Sequence, residues 1–404
     1  MYCSKQIISD GVFDPCSNKL LKFSTEKVVI EQGIISGIDS IIKCYNSSYL
    51  IADENTIRLL DSKLAASISH HVIPGDSPPS SSLVELIVNK AKDFNTLVAL
   101  GSGTINDLCK YASYISGKDY ILFPTAASMN GYMSASASIL TGGYKKSFQA
   151  HLPKAIYIDL DVVTNAPFRL TRSGFADFIC RSTAQADWLL SHLLLNTEYN
   201  NLPFSLLRDI EQELLKEYQK LIAKDKGIVM LLIEALLLSG IGMTISGGSH
   251  PASQGEHMIA HAMDAVYGHN LLPLHGEKIA VTTLTMAKLQ EEKLLIIPTI
   301  KPTAANEKEI IECFGSDEFI EIFNNKKIDK EKAEHLNDIV QKNWNEFSEV
   351  VKKNHIPSKV LKKIFCDLGM ATDAKDLGWD TGKYKKVVDL AFATRDRFTF
   401  LDIK

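Results

Sequence analysis

Over about the first 165 residues, short β-branched runs alternate with stretches of helical spacing. The runs are Lys27 to Glu31, Ser48 to Asp53, Thr96 to Leu100, Tyr120 to Phe123 and Ala155 to Asp159. Strands interleaved with helices imply a doubly wound parallel sheet. From Thr171 onward apolar positions recur at a period near 3.6 with few strand-like runs, the pattern of an all-helical region. The expected architecture is therefore an α/β N-terminal domain, residues 1–168, followed by an all-α domain, residues 169–404, joined near Ala166-Pro-Phe-Arg-Leu170. The charged stretch Lys301 to Lys332 reads as solvated helix faces and loops.

Composition narrows the class. The chain has 404 residues, 45% apolar and 23% charged, as expected of a globular protein. A formal net charge of −4 provides no basic field, which argues against nucleic acid as a partner. The seven cysteines are spread singly without a CxxC pair, so neither a disulfide framework nor a thiolate zinc site is expected, and a reduced cytoplasm is. Met1 to Asp10 lacks the apolar core of an export signal. The longest apolar stretch, Ile228 to Leu238, is interrupted by Glu234, so no membrane span is expected.

Three segments in the first half carry candidate chemistry. Gly101-Ser102-Gly103-Thr104-Ile-Asn106-Asp107 follows an apolar strand and opens a helix. Glycines there let backbone N–H groups approach a pyrophosphate at the helix's positive end. A tight turn with no ligand reads equally well. Asp53, at the tip of the second strand, either accepts from ribose hydroxyls, which favours NAD over NADP, or caps a following helix. Thr125 and Ser128, in Pro124-Thr-Ala-Ala-Ser-Met-Asn130-Gly-Tyr132, offer hydroxyls to a cofactor phosphate or carboxamide, or simply form a polar loop.

In the second half, His257 and His261 lie four apart, so both project from one helical face. His275-Gly276 begins what reads as the next helix after Pro273, and Asp177, in Gly174-Phe-Ala-Asp177, is a further ligand candidate. Imidazole and carboxylate suit zinc and similar borderline ions, and three protein ligands leave an open coordination position.

These segments resemble the iron-containing alcohol dehydrogenase and dehydroquinate synthase-like superfamily, and within it the bacterial sn-glycerol-1-phosphate dehydrogenases. The likeness extends to Thr183-Ala-Gln-Ala-Asp-Trp188, Pro251-Ala-Ser-Gln-Gly-Glu-His257, Leu274-His-Gly276 and Arg395-Asp-Arg-Phe-Thr-Phe-Leu-Asp402. It implies a dinucleotide-binding domain, a helical domain and an active-site cleft between them. The family's metal ligands fall on Asp177, His257 and His275, all present. Asn130 stands where relatives carry an Asp that contacts the substrate hydroxyl, and Arg181 where close relatives tend to carry Lys.

The resemblance implies reversible hydride transfer between NAD(P)H and dihydroxyacetone phosphate, giving sn-glycerol 1-phosphate, with one divalent metal: zinc first, then nickel or iron. His261 and Asn130 are the expected catalytic residues, and Asp53, Gly101, Ser102, Gly103, Thr104, Asp107, Thr125 and Ser128 the expected cofactor contacts. Asn130, Lys145 and Arg181 are expected at the substrate, with Lys146 and Lys278 further candidates by charge. A homo-oligomer of two or more copies is expected from relatives. The alternatives are a polyol dehydrogenase without substrate phosphate, a sugar-phosphate cyclase, and a non-catalytic nucleotide-binding module.

Overall fold

The β-branched runs of the first half form the strands expected of them. In the computed structural model, which describes residues 2–142, 144–268 and 272–403, a six-stranded sheet has the order Lys27–Glu31, Ala155–Asp159, Asp119–Pro124, Thr96–Gly101, Ser48–Asp53, His70–Ile73. Every pairing is parallel. Thr96–Gly101 and Ala155–Asp159 are buried at each position, as strands covered on both faces must be. The edge strand His70–Ile73 carries only two aliphatic residues and was not expected.

Strand order reverses beside the centre. From Ser48–Asp53 the chain moves outward to His70–Ile73, then returns to Thr96–Gly101 on the opposite side and winds the other way. Ala52 pairs with Leu100, so Asp53 and Gly101 end adjacent strands at this switch point. Open α/β sheets bind ligands in the crevice at such a point, beyond the strands' carboxyl ends. An antiparallel hairpin, Ser136–Thr141 with Tyr144–Gln149, was also not expected; its alternating short polar residues hide the strand signal.

Two compact units make up the chain. The first comprises Met1–Phe178 with Leu202–Gly248, the second Ile179–Asn201 with Ser249–Lys404. The single boundary expected at 168/169 thus differs from the observed division. Helices Leu202–Glu217 and Lys226–Ile245 pack on each other, and the latter also packs on Leu160–Asn165 of the first unit. Helical periodicity reports that a segment is a helix, not which neighbour covers it.

Lys226–Ile245 is long and apolar enough to cross a membrane by length and composition, but 72% of its apolar window is buried inside the protein. Glu234, the charge within it, accepts from Ser4 N at 3.0 Å. A buried core helix of the first unit accounts for it.

Beyond Phe168 the described residues contain helices and no strand. The second unit's core gathers Leu190, Met258, Met263, Trp344, Phe347 and Phe400. Within the charged stretch 301–332, Ile310, Phe314 and Phe323 are core residues, and buried Lys326 pairs with Asp402 at 3.1 Å. The expectation of a solvated surface therefore holds for Lys308 and Lys330 but not for Lys326.

Candidate active site

Strand Thr96–Gly101 runs into helix Gly103–Ile115, and Ser102 at the N-cap makes no side-chain capping bond, leaving the first-turn amides open. A Cβ at Gly101 would lie 2.5 Å from Ile105, so packing requires that glycine, whereas one at Gly103 would make a tight 3.3 Å contact with the flexible side chain of Met129. Thr104 is half-buried in this first turn. Open amides at a helix's positive end are the kind of feature that can cradle an anion.

Asp53 does end its strand. One carboxylate oxygen accepts from Asn55 N and Thr56 N at 2.8 and 2.9 Å, closing a turn rather than capping an α-helix. Asp107 is buried and committed internally, accepting from Ser138 N at 3.1 Å and Asn106 Nδ2 at 3.0 Å. Burial raises its pKa, opposed by the charges of Lys110 and Lys145. Thr125 donates its N–H to Gly101 O at 3.2 Å, tying the next loop to the end of strand Thr96–Gly101. The Ser128 hydroxyl bonds Tyr132 Oη at 3.1 Å, and that phenol donates to Ala126 O.

This loop meets helix Phe168–Ile179 at close range. A Cβ at Gly174 would sit 2.0 Å from Ala127 O, so only glycine permits the approach. Three residues on, Asp177 Oδ2 accepts from Asn130 N at 2.8 Å while Asn130 Nδ2 donates to the Asp177 carbonyl at 3.1 Å. Asn130 thus clamps Asp177 through backbone and side chain. The sequence expectation for Asn130, a catalytic and substrate-contacting role, did not include this clamp.

In the second unit, helices Gly255–Tyr267 and His275–Lys293 bring three imidazoles together. Ring centroids lie 5.2 Å apart for His257 and His275, 5.9 Å for His257 and His261, and 6.3 Å for His261 and His275. His257 Nδ1 faces Glu256 Oε1 at 2.9 Å, which fixes the proton on Nδ1 and turns the Nε2 lone pair outward.

Sequence reasoning missed Glu256, although a carboxylate directly before a candidate ligand histidine was visible. Its oxygens also accept from Gln254 N at 2.7 Å and Thr183 Oγ1 at 3.1 Å. Burial works to raise its pKa, but the bonds from His257 and Gln254 win and hold it below the ordinary value. Nearby Asp187 is pushed the other way, up to about 8, by burial and then by Glu256's charge. Cys180, Glu256 and His257 form a second buried group whose donor atoms lie within 4.8 Å of one another.

The expected substrate cations lie on different elements. Lys278 is buried against Asp264. Lys145, half-buried, lies on strand Tyr144–Gln149 and Arg181 is buried at the start of helix Arg181–Leu195. The former belongs to the first unit, the latter to the second.

A family model described as iron-containing alcohol dehydrogenase matches residues 29–167. A glycerol-1-phosphate dehydrogenase (NAD(P)+) of Bacillus velezensis is 30% identical over 264 residues, 62% of this chain and 67% of that one. The chain belongs to the iron-containing alcohol dehydrogenase family. Proteins of the same printed name from Halalkalibacterium halodurans (34% over 213 residues, 52% of this chain and 53% of that one) and Pyrococcus abyssi (37% over 209 residues, 51% and 60%) are also similar. The chain spans about half to two thirds of the length of these relatives.

Solved structures carry the same fold. A probable glycerol dehydrogenase from Sinorhizobium meliloti aligns with TM-score 0.62 at 18% identity, covering 94% of each chain. An NADH-dependent butanol dehydrogenase from Thermotoga maritima aligns with TM-score 0.58 at 16% identity, covering 94% of this chain and 92% of that one. At such identities the likeness concerns fold alone.

Proposed function

We propose that this chain is an NAD(P)-linked oxidoreductase that interconverts dihydroxyacetone phosphate and sn-glycerol 1-phosphate, using one divalent metal held by Asp177, His257 and His275. One observation carries the reading. The two imidazoles, on helices Gly255–Tyr267 and His275–Lys293 of the second unit, stand with ring centroids 5.2 Å apart, and Asp177 is the carboxylate that the family resemblance assigns as third ligand. Two imidazoles and a carboxylate fit zinc foremost, and nickel or iron as well, with a coordination position to spare.

When bound, the metal supplies Lewis-acid polarisation of the substrate oxygen, and the nicotinamide supplies the hydride. The chain's own groups do the rest. Glu256 orients His257, and Asn130 fixes Asp177 through two hydrogen bonds. Half-exposed His261, one helical turn beyond His257, is positioned to pass a proton to water. The open amides of residues 102–104, at the sheet's switch point, take the cofactor pyrophosphate, with Asp53 beside them for the ribose. A reduced cytoplasm is the proposed setting, since among the described residues no cysteine forms a disulfide.

Steady-state comparison of dihydroxyacetone phosphate with dihydroxyacetone, following NADH and NADPH oxidation with added zinc or nickel, tests the substrate. A kcat/KM favouring the phosphorylated ketone is expected, and equal values would overturn the phosphate assignment. His275→Ala should lose bound metal and turnover while its circular dichroism stays unchanged; full metal content in that variant would remove His275 from the ligand set.

A further inference from the structure

The terminal segment Arg395-Asp-Arg-Phe-Thr-Phe-Leu-Asp402 has no part in the site so far. It is rigidly held: Phe398 and Phe400 enter the core, Phe400 N donates to Asp187 Oδ1 at 3.0 Å, and Asp402 accepts from Thr399 N at 2.8 Å. That anchoring fixes two guanidinium groups against the segment leading into helix Gly255–Tyr267. Arg395 Nη1 donates to Ser253 Oγ at 2.8 Å, Arg397 Nη2 to Ser249 Oγ at 2.9 Å, and Arg397 Nη1 to the Ser253 carbonyl.

All these acceptors are neutral. Among the described residues neither arginine makes an ion pair. The carboxylate whose charge reaches them is Glu256, and both its oxygens already accept hydrogen bonds. Most of the ten N–H donors that two guanidiniums carry remain unused. Two cations partly withdrawn from water beside each other are costly unless an anion joins them.

The surroundings favour a phosphate ester. His250 lies against this group and stacks on Trp188 at 5.6 Å. Burial, then the charges of Arg397 and Arg395, lower its pKa to about 4, so it is neutral at pH 7 and adds no competing cation. Hydroxyls of Ser249 and Ser253 and forked guanidinium donors match tetrahedrally arranged acceptor oxygens. Ser253 stands four residues before His257 in the chain, so an anion held here adjoins the segment that delivers that histidine. Lys278, by contrast, is neutralised by Asp264.

We propose that Arg395 and Arg397, with the hydroxyls of Ser249 and Ser253, form the subsite for the substrate's phosphate. The assignment deepens the functional reading above and rests on it for the identity of the ester. It is tested on the full metal-loaded chain with inorganic phosphate as the probe and Arg395→Gln/Arg397→Gln as the variant. Phosphate should raise the wild-type Tm and inhibit competitively against dihydroxyacetone phosphate; both effects should vanish in the variant. The preference in kcat/KM for dihydroxyacetone phosphate over dihydroxyacetone should fall on the order of 100-fold.

Arg395→Lys/Arg397→Lys keeps the charge without the fork and should show the same losses to a smaller degree, which covers a glutamine variant that fails to fold. Phosphate binding retained in the variants, or absent from wild type, would overturn the site. Non-competitive inhibition would overturn its assignment to the substrate. Should wild type bind phosphate through these arginines yet not reduce dihydroxyacetone phosphate, the subsite survives and the functional reading fails.

Discussion

Replacing Glu256 with Gln isolates one charge beside the proposed metal site. Glu256 Oε1 accepts from Gln254 N and His257 Nδ1 at 2.7 and 2.9 Å, while Oε2 accepts from Thr183 Oγ1 at 3.1 Å. A glutamine of the same shape keeps its carbonyl oxygen toward the first two donors and turns its amide to Thr183, whose hydroxyl can accept. The bonds survive and the negative charge does not. Hydrogen bonds to charged groups contribute about 1.5–3 kcal/mol and neutral ones about 0.5–1.5 kcal/mol. The difference, on the order of 1–1.5 kcal/mol, makes His257 a poorer ligand and lowers metal affinity roughly tenfold, at the lower end of the effects known for such outer partners. Competition against a chelator of known affinity measures it, with Tm of the metal-free protein as control. That Tm should not fall, because a buried charge that raises the pKa of Asp187 is removed. Unchanged metal affinity would refute the proposed electrostatic support. Complete loss of binding would make Glu256 a direct ligand, through the group it forms with Cys180 and His257.

Other perturbations probe the scaffold. Gly174→Ala places a methyl group 2.0 Å from Ala127 O and should cost at least about 1–3 kcal/mol, read as a Tm lowered by several degrees in calorimetry; an unchanged Tm would show that the helix moves freely off the loop. Asn130→Asp removes the donor to the Asp177 carbonyl and should destabilise by about 1–3 kcal/mol at pH 7. Denaturant titration of the two proteins at pH 7 decides it, and equal stabilities would refute the clamp. Buried Lys110, bonded to Gly131 O at 2.6 Å, has its pKa lowered by burial from 10.5 to about 8. Between these values the unfolded chain binds the extra proton, so the lysine contributes stability that grows with pH, with a limiting slope of about 1.4 kcal/mol per unit. Lys110→Met should abolish that rise relative to wild type in urea titrations from pH 8 to 10; parallel slopes would contradict it.

The strands were legible where β-branched residues cluster, as in Thr96–Gly101 and Ala155–Asp159, because strands covered on both faces are apolar at every position. His70–Ile73 and the hairpin after Ser136 escaped because edge and surface strands are stabilised by backbone pairing, which leaves little trace in side-chain type. Assignment of Leu202–Gly248 to the first unit was also beyond sequence. It depends on close approaches such as Gly240, where a Cβ would lie 2.8 Å from Met133 N and 3.0 Å from the Asn130 carbonyl. A glycine in an apolar helix signals such an approach without naming the partner.

The candidate metal site shows the same division. His257 and His261 share a face because helical geometry places residues four apart together, and that much follows from spacing. Asp177 is far away in sequence and was found through resemblance. What neither route gave is the use of Asn130. An aspartate at this position can accept hydrogen bonds but cannot, when ionised, donate one to a carbonyl, whereas the amide does so at 3.1 Å. The departure from the family pattern therefore carries a structural consequence of its own: it ties the backbone of Asp177, while the Asn130 N–H holds the carboxylate of the same residue. Asn130 thus holds the proposed ligand Asp177 through two hydrogen bonds, so a change at Asn130 must be measured in metal affinity as well as in turnover before it is read as a change in specificity.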